Sequence, residues 1–282
     1  KIYLMKGRRD FIKKTTTAAT VLAAAPSFGF HLVKKPKNYG PILGHGEYQY
    51  RLHNDWAQLD TTKNPLLNCH EMVMDRKGRL IMLGDHEKNN ILIFDKSGAL
   101  LDYWGTAYPG GHGLTLSAEG EEDFLFLTES GWYTNSGREW KKQSGRVTKT
   151  TTTGRVLFEI GHPQTIGIYE PGDEFNPTET AIGPNGDIYV ADGYGSDFII
   201  QYDSAGRYIR HWGGHDNKDP NYNLNSAHGV AIDYRDKENP MVVCTSRNQC
   251  CFKFFTLDGI YIKTLELPNM QVCRPVFDDS NL

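Results

Sequence analysis

A four-strand pattern that recurs along the chain constrains its fold more than any other feature. The clearest copy is Phe175–Trp212, which alternates polar and apolar residues over Thr180–Ile182, Asp187–Val190, Phe198–Tyr202 and Arg207–Trp212. Turns at Pro184-Asn185-Gly186 and Ser204-Ala205-Gly206 separate these runs. Period-two alternation bounded by such turns marks consecutive β-hairpins. An earlier copy runs from Cys69-His70-Glu71 to Trp104-Gly105. It shares the aromatic-Asp-x-x-Gly turn (Phe94–Gly98 against Tyr202–Gly206) and the closing Trp-Gly, repeated at Trp212-Gly213. Another begins at Gly111-His112-Gly113, is interrupted by the polar stretch Gly131–Thr153, and finishes with Gly154–Ile160. That stretch is expected to form a long loop on one face. A fourth runs from Ala227-His228-Gly229 to Leu265, and a fifth begins at Cys273-Arg274.

The copies start at His70, His112, Thr178 and His228, which are 42, 66 and 50 residues apart. A four-stranded propeller blade takes roughly 40–50 residues, and the long interval absorbs the polar insertion. The sequence therefore predicts an all-β propeller over residues 66–282, with about four blades and a stub. An incomplete ring leaves sheet faces uncovered, so the expectation is of a chain cut short at its C-terminal end. Residues 30–65, carrying Tyr39, Tyr48, Tyr50 and Trp56, are read as an entry segment able to supply a ring-closing strand.

The first 29 residues read as an export signal. Arg8-Arg9 with Phe11-Ile12-Lys13 precede the mildly apolar Thr15–Ala25, a pattern similar to a twin-arginine signal and too short for a stable membrane span. Lys1–Leu4 precede Met5, as if read from upstream of the start codon. A periplasmic or secreted protein is expected. The net charge of −3 gives no reason to expect nucleic acid or an anionic membrane as partner; a small molecule or peptide is expected instead. Five cysteines leave at least one unpaired, and Cys250-Cys251, adjacent in a strand pattern, point to opposite faces.

His70, His112 and His228 occupy the same register at three blade starts. The first strand of each blade lines a propeller's channel, so equivalent positions converge on its axis. Imidazoles from different blades can hold one metal ion, and neutral nitrogen donors suit zinc; alternatively each ring satisfies a backbone group, as Thr178 could.

His112-Gly113-Leu114-Thr115-Leu116, Asp192-Gly193-Tyr194 one blade later and His228 in the next together resemble the peptidyl-α-hydroxyglycine α-amidating lyases, over roughly residues 66–282. The resemblance implies a six-bladed NHL-type ring whose zinc is held by histidines from alternate blades. It assigns His112 and His228 as ligands, a third ligand to a sixth blade, Tyr194 as general base and Arg247 as an active-site arginine. Calcium is a possible structural ion. His70, in the blade next to that of His112, falls outside the alternating set and is expected to support a ligand or face substrate, as are Thr178 and His86. The family's other arginine precedes a Gly-Asp-His; Gly84-Asp85-His86 is kept here without the arginine. The rival readings are a non-enzymatic propeller binding a peptide, glycan or protein at its mouth, and a calcium-dependent propeller hydrolase. The second lacks an acidic set at the blade starts.

Overall fold

The structure, a computed structural model, describes residues 39–134 and 139–277; the export-signal segment lies outside them. The chain divides into two compact units, one ending at Asp55 and one beginning at Trp56. In the first, β1 (Tyr39–His45) and β2 (Tyr48–His53) pair antiparallel in a two-stranded sheet. Among the described residues of the entry segment, these strands pair with each other and add no strand to a blade.

Among its described residues the second unit holds four antiparallel four-stranded blades. The first is β3 (Cys69–Met74), β4 (Leu80–Gly84), β5 (Ile91–Phe94) and β6 (Leu100–Trp104). The second is β7 (Gly111–Glu119), β8 (Glu122–Glu129), β11 (Arg146–Thr151) and β12 (Val156–Ile160), with a small hairpin of β9 (Trp132–Thr134) and β10 (Trp140–Lys142) inserted between β8 and β11. The third is β13 (Glu179–Ile182), β14 (Ile188–Ala191), β15 (Phe198–Tyr202) and β16 (Tyr208–Gly213). The fourth is β17 (Val230–Asp233), β18 (Met241–Ser246), β19 (Cys251–Thr256) and β20 (Tyr261–Glu266). Inner strands β3, β7, β13 and β17 lie side by side in that order.

Two expectations need correcting. Part of the polar stretch Gly131–Thr153 is the strand β11, whose Thr148 and Thr150 are fully buried. Lys149 in the same strand is buried because its ammonium lies 4.8 Å from the Phe124 ring centre and 2.7 Å from Glu119 Oε1. Cys250 is also not a strand residue: it caps a short 3-10 turn in the left-handed region and Cys251 opens β19. All five cysteines are free thiols.

The repeated motifs have a local cause. In the aromatic-Asp-x-x-Gly turn the Asp carboxylate accepts from the backbone N–H two and four residues on. Asp95 bonds Ser97 and Ala99 at 2.8 and 3.0 Å, and Asp203 bonds Ala205 and Arg207 at 2.9 Å each. The turn glycines Gly98 and Gly206 take φ of 87° and 79°, where a side chain is strained. The closing tryptophans join blades: Trp104 Nε1 donates to Thr152 O at 3.2 Å beside Gly154, and Trp212 lies over Gly259. Trp56 takes the same place over Gly98, and Leu59 and Leu66 pack on Met82, Leu92 and Phe94. The propeller unit therefore begins at Trp56, ahead of the first strand repeat.

The cores lie between blades. Ile81, Leu83, Ile91 and Ile93 meet Leu114, Leu125 and Leu127; Phe126 and Val147 meet Ile188, Val190 and Ile200; Ala191, Ile199 and Trp212 meet Val230, Val242 and Phe255. Each sheet is apolar on both faces, so every blade is stabilised chiefly by its neighbours. Among the described residues no helix is long and apolar enough to cross a membrane.

Candidate active site

The inner strands deliver the register residues to the channel through a shared irregularity. The pairing of β3 with β4 slips between Cys69 and Glu71, and that of β7 with β8 between Gly111 and Gly113. His70 and His112 are thus the extra residues of two bulges, which re-aim a side chain out of the ladder. His228 precedes β17, with its N–H bonded to Ser226 O at 2.7 Å and Ser226 in the left-handed region (φ 56°).

The rings come together. His112 lies 4.8 Å, centre to centre, from both His70 and His228. His112 Nδ1 is 2.8 Å from Thr178 O, and His228 Nδ1 is 3.1 Å from Cys273 O. A carbonyl only accepts, so each Nδ1 carries the proton and each Nε2 is left with a bare lone pair. Both lone pairs aim at the Tyr194 hydroxyl, at 3.2 Å from His112 and 3.0 Å from His228. The hydroxyl has one hydrogen and serves only one of them.

The carbonyls come from equivalent places. Gly113 presses on the next blade so closely that a Cβ would meet Thr178 O at 2.7 Å, and Gly229 stands in the same relation to Cys273. Residues 273–274 therefore hold, beside the fourth blade, the positions that Thr178 and Glu179 hold beside the second. Thr178, fully buried, acts through its carbonyl; its hydroxyl bonds Ala191 O at 3.3 Å.

Tyr194 and Arg247 both follow the second strand of a blade. Asp192, fully buried, anchors the Tyr194 loop. Its carboxylate accepts from Asn176 N at 2.6 Å, Ser196 N at 2.7 Å and the Tyr169 hydroxyl at 2.6 Å. Ser246 does the same for Arg247, accepting from Asn225 N at 2.9 Å. Burial pushes the Tyr194 phenol up, and the positive charge of Arg247 partly offsets it.

The electrostatics keep the imidazoles neutral. Burial, then the nearby His228 and His70, hold His112 down at about 3; burial, opposed by the Cys273 carbonyl, holds His228 at about 4. His70 instead turns Nε2 toward Asp85, at 3.5 Å. Gly84-Asp85-His86 puts its aspartate to structural use, accepting from Asn68 N at 2.7 Å. His86 stays in the following turn, where Nδ1 accepts from Lys88 N at 3.1 Å. No described bond joins it to the cluster.

A second cluster of charge, absent from the sequence reading, sits one residue after three of the register positions. Arg274 pairs with Glu71 and, at 3.5 Å, with Glu179. Glu71 also accepts from Leu114 N at 2.6 Å. Burial pushes Glu179 up to about 8, opposed by the hydrogen bonds it accepts from Thr180 N at 3.1 Å and Thr115 Oγ1 at 3.4 Å. The signal was available: each residue directly follows a register position, His70, Thr178 or Cys273.

Two neutral Nε2 atoms, each with its Nδ1–H fixed by a carbonyl, form a donor pair of the kind that binds zinc. Because one hydroxyl hydrogen cannot serve both, a lone pair is left facing the phenol oxygen, an arrangement that a cation relieves. His112 and His228 fit a metal in kind; among the described residues no group of three or more His, Cys, Asp or Glu is arranged to hold one.

No family model matches the chain. Solved structures similar to it include a streptogramin B lyase (TM-score 0.51, 17% identity, 74% of this chain and 58% of that one). A calcium-binding protein, regucalcin, from Agrobacterium tumefaciens aligns at TM-score 0.52 and 13% identity, over 75% and 64%. A gluconolactonase from Xanthomonas campestris aligns at 0.50 and 14%, over 75% and 66%. The chain spans less than two thirds of the length of each of these structures. At these identities the likeness establishes the β-propeller fold and assigns no activity.

Proposed function

We propose that this protein is an exported, metal-dependent propeller lyase, built on a six-bladed NHL-type ring, that breaks the C–N bond of an α-hydroxyglycine-type carbinolamide. The observation that carries the reading is the convergence of His112 Nε2 and His228 Nε2 on the Tyr194 hydroxyl, at 3.2 and 3.0 Å. Bound through these two nitrogens, zinc supplies positive charge that lowers the pKa of a hydroxyl beside it.

The chain's own groups account for the proton. Tyr194 first loses its own phenol proton to solvent, an ionisation that burial opposes and the Arg247 charge supports, and its oxygen then takes the proton of the substrate hydroxyl. The freed O–H electron pair becomes a carbonyl bond as the C–N bond breaks. The proton returns to the leaving nitrogen, giving a primary amide and an aldehyde. Arg247, beside the hydroxyl, orients the substrate carbonyl. Thr178 and Cys273 hold the two imidazoles in the tautomer that leaves Nε2 free.

Glyoxylate release from a peptidyl α-hydroxyglycine by the zinc-loaded protein tests the reading. Tyr194→Phe is expected to lower it by about 100-fold or more. Turnover retained in that variant removes Tyr194 from the mechanism, and no release by the wild type removes the reading.

A further inference from the structure

The β9–β10 hairpin rises from the end of the second blade that also carries the site. It follows β8, as the Tyr194 loop follows β14 and Arg247 follows β18. Its base is tied to both neighbouring register segments. Ser130 N donates to Gly110 O at 2.8 Å, two residues before His112. Asn176 Nδ2, two residues before Thr178, donates to Ser130 O at 2.6 Å and Gln143 O at 3.0 Å. Lys142 pairs with Glu174. The hairpin is therefore held at the channel mouth, between the blades that supply His112 and Tyr194.

Its composition is unlike that of a solvated turn. Trp132 pairs with Lys142 and Thr134 with Trp140. Opposed residues and those two apart share a face, so Trp132, Thr134, Trp140 and Lys142 stand on one side. Trp140 is 66% exposed and Trp132 38%, with Lys142 Nζ 4.7 Å from the Trp132 ring centre. Indole surface in water is costly, and exposed aromatics of this kind anchor partners. Among the described residues the sheet has two strands, so each has an edge of backbone groups that no neighbouring strand takes up, although Trp132 N donates to Ser130 Oγ at 3.3 Å.

We infer that this hairpin is the subsite for the peptide chain attached to the reacting centre, which lies extended along a hairpin edge with apolar side chains against Trp140 and Trp132. An edge that offers backbone hydrogen bonds together with aromatic surface recognises an extended peptide. A sugar ring would need several carboxylates or amides beside the indoles; among the described residues this face offers one threonine and one ammonium, the latter paired with Glu174. The inference rests on the reading of His112, Tyr194, His228 and Arg247 as the site that receives the end of such a peptide.

The test uses the whole zinc-loaded protein and Trp140→Ala, whose exposed side chain can be truncated without opening a cavity. A tetrapeptide amide of leucine and phenylalanine, and N-acetylglycinamide as its short counterpart, are titrated calorimetrically. Glyoxylate release is followed in parallel from α-hydroxyglycine substrates of the same two lengths. The subsite predicts that Trp140→Ala weakens the tetrapeptide amide by about tenfold and raises KM for the long substrate alone, with kcat kept. A wild type that does not bind the tetrapeptide amide, or binds it as the variant does, overturns the inference. Tetrapeptide binding that depends on Trp140 without glyoxylate release sinks the lyase reading and leaves the subsite. Release with one KM at both lengths does the reverse.

Discussion

The hydroxyl of Tyr194 stands 3.0 Å from His228 Nε2, although the two residues belong to successive blades. Gly193 makes that approach possible: a Cβ there would meet Ala227 O at 2.5 Å and His228 Cα at 2.7 Å. Gly193→Ala is expected to wedge the third and fourth blades apart, costing about 1–3 kcal/mol. Because the strain falls between Tyr194 and His228, metal affinity should fall more than the change in melting temperature alone explains. Thermal unfolding and a zinc titration on the same sample check this.

The neutral imidazoles set a pH dependence for the metal-free protein. His112 and His228 are held at about 3 and about 4, below the ordinary 6.5 of an unfolded histidine. The unfolded chain therefore binds more protons between those values. Stability from this source is complete above pH 6.5 and declines as pH falls toward 4, by up to about 1.4 kcal/mol per pH unit for each histidine. Urea titrations between pH 7 and 5 should show a shallower slope in His112→Gln than in the wild type. Equal slopes would mean that His112 is not held neutral by the fold.

Arg274 makes a separate prediction. Its guanidinium stands between the carboxylates of Glu71 and Glu179. Arg274→Met leaves two buried acids without their cation, a change that costs about 3–5 kcal/mol. The loss should grow as pH rises from 7 to 9, because burial holds the Glu179 carboxyl at about 8 and its charge appears in the fold only above that value. Restoring a cation with Arg274→Lys should recover part of it. Denaturation at both pH values separates this from a simple packing defect.

Asp192 holds the loop that carries Tyr194 by accepting two N–H groups and one phenol. In Asp192→Asn an amide NH2 replaces one acceptor and faces a donor. The expected cost is about 1–3 kcal/mol per donor left unpaired. A variant as stable as the wild type would show that another group carries the loop.

What the sequence disclosed follows from the range of the interactions. The blade pattern was legible because its turns are local: the Asp95 and Asp203 carboxylates bond backbone within four residues. The register of His70, His112 and His228 was legible for the same reason. The strand β11 was hidden because Thr148, Lys149 and Thr150 look polar, while the strand is paired between β8 and β12 and Lys149 is held by Phe124 and Glu119, distant in sequence. His70 was set apart from the ligand pair by the geometry of alternate blades. The structure brings its ring to 4.8 Å from His112 and turns its Nε2 to Asp85, contacts that no spacing encodes. The Glu71–Arg274–Glu179 group was missed because its members meet only across the channel. His86 keeps its motif but serves a turn.

The central claim is that His112 and His228 share one metal ion beside Tyr194. Zinc content after dialysis tests it most directly, measured on folded wild type, His112→Ala, His228→Ala and His86→Ala. The account predicts about one zinc per chain in the wild type and His86→Ala, and loss of nearly all of it in either of the other two. Zinc retained in both His112→Ala and His228→Ala, or a wild type that takes up none, would contradict it.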